Sequence, residues 1–344
     1  MIIVPVFSQT TTQIKITKIG QFNDGGETVN FQIINDIAYV ADFEDGLEVL
    51  DISDPSDPVE LGEYNIRQAR GVQVVDDILY LSCNTNGLFI LNISDPSHPT
   101  KLGEYYASDA HQLIPKGNIG YLANWYNGIE ILNLTNPSNL IKIGEFDDGG
   151  SVFSLQMIDD ILYAAEYTNG IEILNVSQRT ILTKLSQYFD GGHSVELSVI
   201  DNIAYIADKE DGLEILDVND PQNPIELGQF HDGGDVVAVH IIGDIAYTID
   251  WEDGLEIIEI NDPIHPIKLG EYNDGGQGQD VFGVNNLVYV ADGSDGLEII
   301  QIEESNNTSK TDSVTATSFE LVFAIIGLSS FLVFKQKVFR TKNM

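Results

Sequence analysis

Apolar and polar residues alternate along this chain in short runs, and the runs come in fours. In one unit, Gly71-Val72-Gln73-Val74-Val75 reads as a strand, Asp76-Asp77 as a turn, and Ile78-Leu79-Tyr80-Leu81 as a second strand. Asn86-Gly87 turns again, Leu88-Phe89-Ile90-Leu91 is the third strand, Asp95-Pro96-Ser97-His98-Pro99 stops the chain, and Lys101-Leu102-Gly103-Glu104-Tyr105 is the fourth. No stretch of the unit has helical periodicity. The same phrase returns at Gly46, Gly87, Gly128, Gly170, Gly212, Gly254 and Gly296, always 41 or 42 residues apart. Seven four-stranded units at a fixed period predict an all-β fold, a seven-bladed β-propeller with strands A to D running outward from a central channel. Nine of the eleven prolines fall in the C to D turns, where a missing backbone donor does no harm.

The units are out of phase with the chain ends. Ile14 to Phe22 reads as a D strand, whereas the last unit stops after a C strand, Leu297 to Ile302. The N-terminal strand is therefore expected to complete the last blade, which removes two exposed sheet edges and closes the ring.

The third strands, Leu47-Glu48-Val49-Leu50-Asp51, Leu213-Glu214-Ile215-Leu216-Asp217 and Leu255-Glu256-Ile257-Ile258-Glu259, resemble the LVIVD repeat, together with the preceding Ala38-to-Asp42 segment and the Asp-Pro turns. The resemblance covers about residues 14–303 and is weakest in the fourth unit. There Ser177-Gln178-Arg179-Thr180 replaces the Asp-Pro turn and Leu185-Ser186-Gln187 replaces Leu-Gly-Glu. It implies a propeller of bacterial or archaeal surface proteins and supplies no catalytic residues.

Composition narrows the partners. The net charge is −38, and residues 1–303 carry 11 Lys and Arg against 51 Asp and Glu. Nucleic acid is excluded as a partner, because it requires a basic footprint. The single cysteine, Cys83, cannot form an internal disulfide.

Residues 304–317 read as a polar linker. Residues 318–335 hold an apolar run, Leu321 to Phe334, followed by the basic tail 336–344. This pattern predicts a C-terminal transmembrane helix or sorting tail, single-pass in the cell membrane, with the basic residues cytoplasmic and the propeller extracellular. Residues 1–13 read as a signal-peptide remnant whose start lies upstream. Five Asn-X-Ser/Thr sequons, at Asn92, Asn133, Asn175, Asn306 and Asn307, fit export, although the first three also suit turn chemistry.

Candidate ligand positions lie on the D to A and B to C loops, which share one face around the channel mouth. Three residues before each repeat glycine, the chain reads Phe43, Asn84, Trp125, Tyr167, Lys209, Trp251 and Gly293. A turn does not require such variety. Phe43, Trp125, Tyr167 and Trp251, with Tyr126, Arg67, Arg70 and His111, form the expected binding patch for an extracellular glycan or protein. Five D to A loops carry Asp-Gly-Gly, at Asp24, Asp148, Asp190, Asp232 and Asp274, and these oxygens are candidate calcium ligands. Turn chemistry explains the same aspartates without a metal.

The chain thus reads as a membrane-anchored binding, adhesion or envelope module rather than an enzyme. No zinc, nucleophile-elbow or phosphate-loop motif is present. The alternative is a divalent-cation-dependent extracellular hydrolase or lyase using the acidic mouth.

Overall fold

The computed structural model describes residues 13–304. Within them, 28 strands numbered in chain order form seven four-stranded antiparallel sheets. Six blades are continuous in sequence: 28–65, 71–105, 112–146, 152–188, 194–230 and 236–272. The seventh combines β26 (Asp280–Val284), β27 (Leu287–Ala291) and β28 (Leu297–Glu304) with β1 (Ile14–Phe22), in the order β1-β28-β27-β26. The ring closes as the phase of the repeats requires. Ile16 pairs with Ile302 and Phe22 with Leu297.

Burial explains the repeat's composition. The two central strands of each blade are buried on both faces between neighbouring sheets, so they read as near-continuous apolar runs. One tyrosine per blade, from Tyr39 to Tyr289, is buried at the same level of the second strand. Seven apolar clusters result, one at each junction between blades. The junction of the last blade with the first includes Phe31, Leu50, Tyr289 and Leu297, with Ile19 and Phe22 of β1 packed against them. The outermost strands alternate in exposure because only one side meets a neighbour.

The Leu-Gly-Glu motif has a steric cause. A Cβ on Gly103, in Leu102-Gly103-Glu104, would lie 2.3 Å from the Pro137 carbonyl oxygen in the next blade's C to D turn. In the fourth blade Ser186 occupies the equivalent place, and its hydroxyl donates a 2.7 Å hydrogen bond to the Pro221 carbonyl. The departure at Ser186 converts a close approach into a bond and leaves the sheet order unchanged.

Asn92, Asn133 and Asn175 accept 2.9 Å hydrogen bonds from the amides of Ser94, Thr135 and Ser177, which assigns these sequon residues a turn role. No helix among the described residues is long and apolar enough to cross a membrane. The expected transmembrane segment, 318–335, its flanking linker and basic tail, and the sequons at Asn306 and Asn307 lie outside the described residues, as do residues 1–12.

Candidate functional site: the channel mouth and the acidic blade pockets

Seven innermost strands surround the channel, and each leaves one backbone edge without a ladder partner. At five of the seven junctions, side chains from the preceding blade meet that edge. The side-chain oxygens of Asn30 and Gln32 accept from the amides of Val72 and Val74 at 3.0 and 2.6 Å. Gln112 does the same for Leu155 at 2.6 Å, Glu196 for Val239 at 3.0 Å, and Asp280 for Phe31 at 3.2 Å. Asp280 also accepts from Asn30 Nδ2 at 2.7 Å. Polar residues on the channel wall thus bind blade to blade and satisfy backbone donors. Burial pushes the Asp280 carboxyl up to about 7 and Glu196, facing Asp280, well above the ordinary range.

The same residues Asn30, Gln112, Glu196 and Asp280, with Glu27, help line a cavity of about 370 Å³ at the channel mouth. Val29, Phe153, Val195 and Val237 of the innermost strands, and Arg70, His111 and Gln279 immediately before theirs, line it at the repeat period, with Lys209 and Trp251 reaching in from B to C loops. On one side the rings form a continuous arc. Trp125 lies 4.8 Å from His111 and 4.4 Å from Phe153, Phe153 stacks on Tyr167 at 5.3 Å, and Tyr167 meets His193 at 4.3 Å. Lys209 Nζ sits 5.6 Å from the Tyr167 ring and 5.1 Å from Trp251, and Arg70 lies over Phe43 at 5.4 Å.

The mouth also holds buried polar atoms without partners. Arg70 Nε, His111 Nε2 and Trp125 Nε1 make no hydrogen bond, although Asp109 Oδ1 lies 3.5 Å from His111 Nε2. Burial holds the His111 pKa below its ordinary value, and the Arg70 charge adds to that; Asp109 opposes it. Burial also lowers Arg70.

Most of the predicted patch is brought together here. Arg70, His111 and Trp251 line the cavity; Phe43, Trp125 and Tyr167 pack directly around it. Tyr126 is exposed and stands edge-on to Trp125 at 5.4 Å. Arg67 is exposed away from the cavity lining, and its carbonyl accepts from Asn86. Sequence reasoning overlooked Phe153, although it continues the series Val29, Arg70, His111 at the repeat period. Lys209 stood in the column of loop residues but was passed over for its aromatic neighbours.

The Asp-Gly-Gly aspartates are gathered blade by blade. Asp148 joins Glu166 and Glu172, Asp190 joins Asp208 and Glu214, and Asp274 joins Asp292 and Glu298, with carboxylate oxygens within 4.8 Å of one another in each set. Asp232 and Glu256 share Lys268, at 2.8 Å from each. Asp24 lies beside Glu48, whose carboxyl is pushed up to about 9, first by burial and then by Asp24. Burial likewise pushes Glu214 up to about 10, with Asp190 and Asp208 adding to it.

A closed ring of seven four-stranded blades around a central channel defines a seven-bladed β-propeller, a fold that hosts many unrelated functions. The model of the LVIVD repeat matches residues 25–66, 66–107, 107–148, 191–232, 233–274 and 275–313, and the chain belongs to this family. The matched segments leave out 149–190, the span that holds Ser186 and the altered turn. No curated protein sequence matches the chain. Among solved structures, a catalytically inactive virginiamycin B lyase from Staphylococcus aureus with quinupristin is similar at 11% identity and a TM-score of 0.67, covering 84% of this chain and 99% of that one. BamB from Moraxella catarrhalis is similar at 12% identity and a TM-score of 0.55, over 86% and 100%. The WD40 β-propeller domain of Doa1 is similar at 10% identity and 0.65, over 88% and 100%. At such identities the likeness is one of fold.

Proposed function

We propose that the chain is a cell-surface binding module whose ligand enters the channel mouth, and that the ligand is a glycan bearing carboxylate groups. The carrying observation is the arc of His111, Trp125, Phe153 and Tyr167, flanked by Arg70 and by Lys209. Aromatic faces stack on the apolar faces of sugar rings. Arg70 and Lys209 stand beside them. Glu27, Glu196 and Asp280 share the lining and Asp235 lies 3.8 Å from Lys209, but burial holds Asp280 and Glu196 toward their neutral forms, which leaves the two cations to attract an anionic group.

Display outside the cell on a single-pass anchor is part of the same reading. It is supported by the apolar run from Leu321 to Phe334, the basic residues after it and the acidity of the repeats. The reading assigns no catalytic step to the mouth.

Glycan-array binding by the full chain tests it. Retention on uronic-acid glycans is expected, with affinity falling about tenfold in Trp125→Ala and in Lys209→Ala, on the order of 1.4 kcal/mol each. Equal retention by these variants, or retention only on neutral glycans, refutes the site.

A further inference from the structure

Beyond the channel mouth, and independent of it, the repeats contain an internal comparison at one position of the outermost strand. Blades two, three, four, six and seven carry lysine there: Lys101, Lys142, Lys184, Lys268 and Lys18. In three of these blades it meets the acids of its own blade. Lys184 Nζ lies 2.7 Å from Asp148 and bonds Glu172; Lys268 bonds Asp232 and Glu256, and Lys18 bonds Asp274 and Glu298. In the third blade one of these acids remains, and Lys142 lies 2.9 Å from Glu130. In the second, where Cys83 and Phe89 replace the acids, Lys101 lies 4.8 Å over the Phe89 ring.

The fifth blade breaks the rule. It keeps Asp190, Asp208 and Glu214 but has Glu226 in place of the lysine, so four acids stand with no basic side chain paired to them among the described residues. The first blade shares the replacement, at Glu60. The two differ at the aspartate ending the second strand. Asp42 Oδ1 accepts the amides of Glu44 and Asp45 in its own turn, and Asp250 Oδ1 does the same for Glu252 and Asp253. In the fifth blade, Asp208 Oδ2 accepts from the Ser194 hydroxyl at 2.6 Å, the His193 backbone also stabilises the carboxylate, and Oδ1 takes no turn amide. Glu48 Oε1 and Asp250 Oδ2 are likewise unpartnered, but only in the fifth blade does this coincide with three converged acids and no lysine. Asp208 is only 1% exposed. Its Oδ1 lies against Gly192 of the Asp190 loop, as Asp42 and Asp250 lie against Gly26 and Gly234, and Asp190, Asp208 and Glu214 bring carboxylate oxygens within 4.8 Å of one another.

We propose that Asp190, Asp208 and Glu214 bind a hard divalent cation of the calcium class in the fifth blade, at the place where sibling blades insert a lysine ammonium. Carboxylate oxygens alone select such an ion over softer metals. The cation supplies the positive charge that Glu226 removes.

Terbium is a suitable probe because Tyr188 can sensitise it; the Tyr188 hydroxyl lies 3.4 Å from Asp190 and 3.3 Å from Glu226. The full chain is expected to give terbium emission on tyrosine excitation, displaced by calcium, and to melt higher in millimolar calcium than in chelator. Tyr188→Phe should lose that emission and keep the calcium shift. Glu226→Lys, which restores the sibling residue and so preserves folding, should weaken terbium binding at least about tenfold. Emission unchanged in Tyr188→Phe or in Glu226→Lys overturns the site, as does a melting temperature unmoved by calcium in the parent protein.

Discussion

Lys18 Nζ lies 2.9 Å from Asp274 Oδ2, although the two residues are 256 positions apart in the chain. Lys18 belongs to the first strand and Asp274 to the last D to A loop, so this ion pair exists only once the ring has closed. It gives the seventh blade the counter-charge that Lys184 and Lys268 give the fourth and sixth from within their own sequence.

Replacing Lys18 with Met should therefore leave Glu298, 1% exposed, and Asp274 facing each other without a cation. The expected loss is roughly 2 kcal/mol. It falls below the ~3–5 kcal/mol of a fully buried pair because the ammonium keeps contact with water. Urea denaturation measures it, and Lys15→Met, at an exposed pair with Glu303, should change little.

Deleting residues 13–22 should open the ring. Ile14, Ile16, Ile19 and Phe22 are half-buried against the sixth, seventh and first blades, so about 5 kcal/mol of apolar burial is lost. The outer edge of β28 is exposed as well. Calorimetry should show a lower melting temperature and a broader transition than the full chain, with dimerisation in size-exclusion runs where two free edges pair.

Stability should rise on mild acidification. Burial first, then acidic neighbours, raises Glu48 to about 9, Glu172 to about 9 and Glu214 to about 10, from 4.5 in the unfolded chain. Between these limits the folded state holds more protons than the unfolded one. The stabilisation is complete below 4.5 and is lost as pH rises through the folded values. Hydrogen bonds to Ser56, Ser97 and Asn223 hold Asp54, Asp95 and Asp220 below 3.8, so their opposite effect falls outside this window. Burial holds His240 at about 4 and His111 below 6.5, and these two oppose the three glutamates below about pH 6.5 without outnumbering them. In chelating buffer the melting temperature should climb from about pH 8 to about pH 5. Glu214→Gln should flatten that climb.

Gln112→Leu should cost about 1–3 kcal/mol, because it leaves the Leu155 amide in the channel wall without its acceptor. Gln73→Leu, where no backbone amide of the next blade is served, should cost less. The comparison is made by urea denaturation of the two variants.

How much of this was legible in advance depended on whether a residue's role was local. The Asp-Gly and Asn-Gly turns, the four strands of each blade and the closing strand followed from period and alternation. Cross-blade relations did not. Gln112 acts on Leu155, 43 residues away, and Lys209 spans two loops to reach Tyr167 and Trp251. Phe153 was hidden because its neighbours in sequence are strand residues, and only its alignment with Arg70 and His111 marks it as part of the mouth.

The sequence alone determined the seven blades, their four strands and the phase that sends Ile14 to Phe22 to the last of them. Each of these depends on a repeated short-range pattern of apolar burial and turn geometry. Only the tertiary structure decided that Arg70, Phe153 and Lys209 share one cavity and that Asp190, Asp208 and Glu214 converge without a lysine. Wrapping seven units around an axis sets side chains from separate repeats within a few ångströms, and electrostatic compensation acts on that distance rather than on separation along the chain.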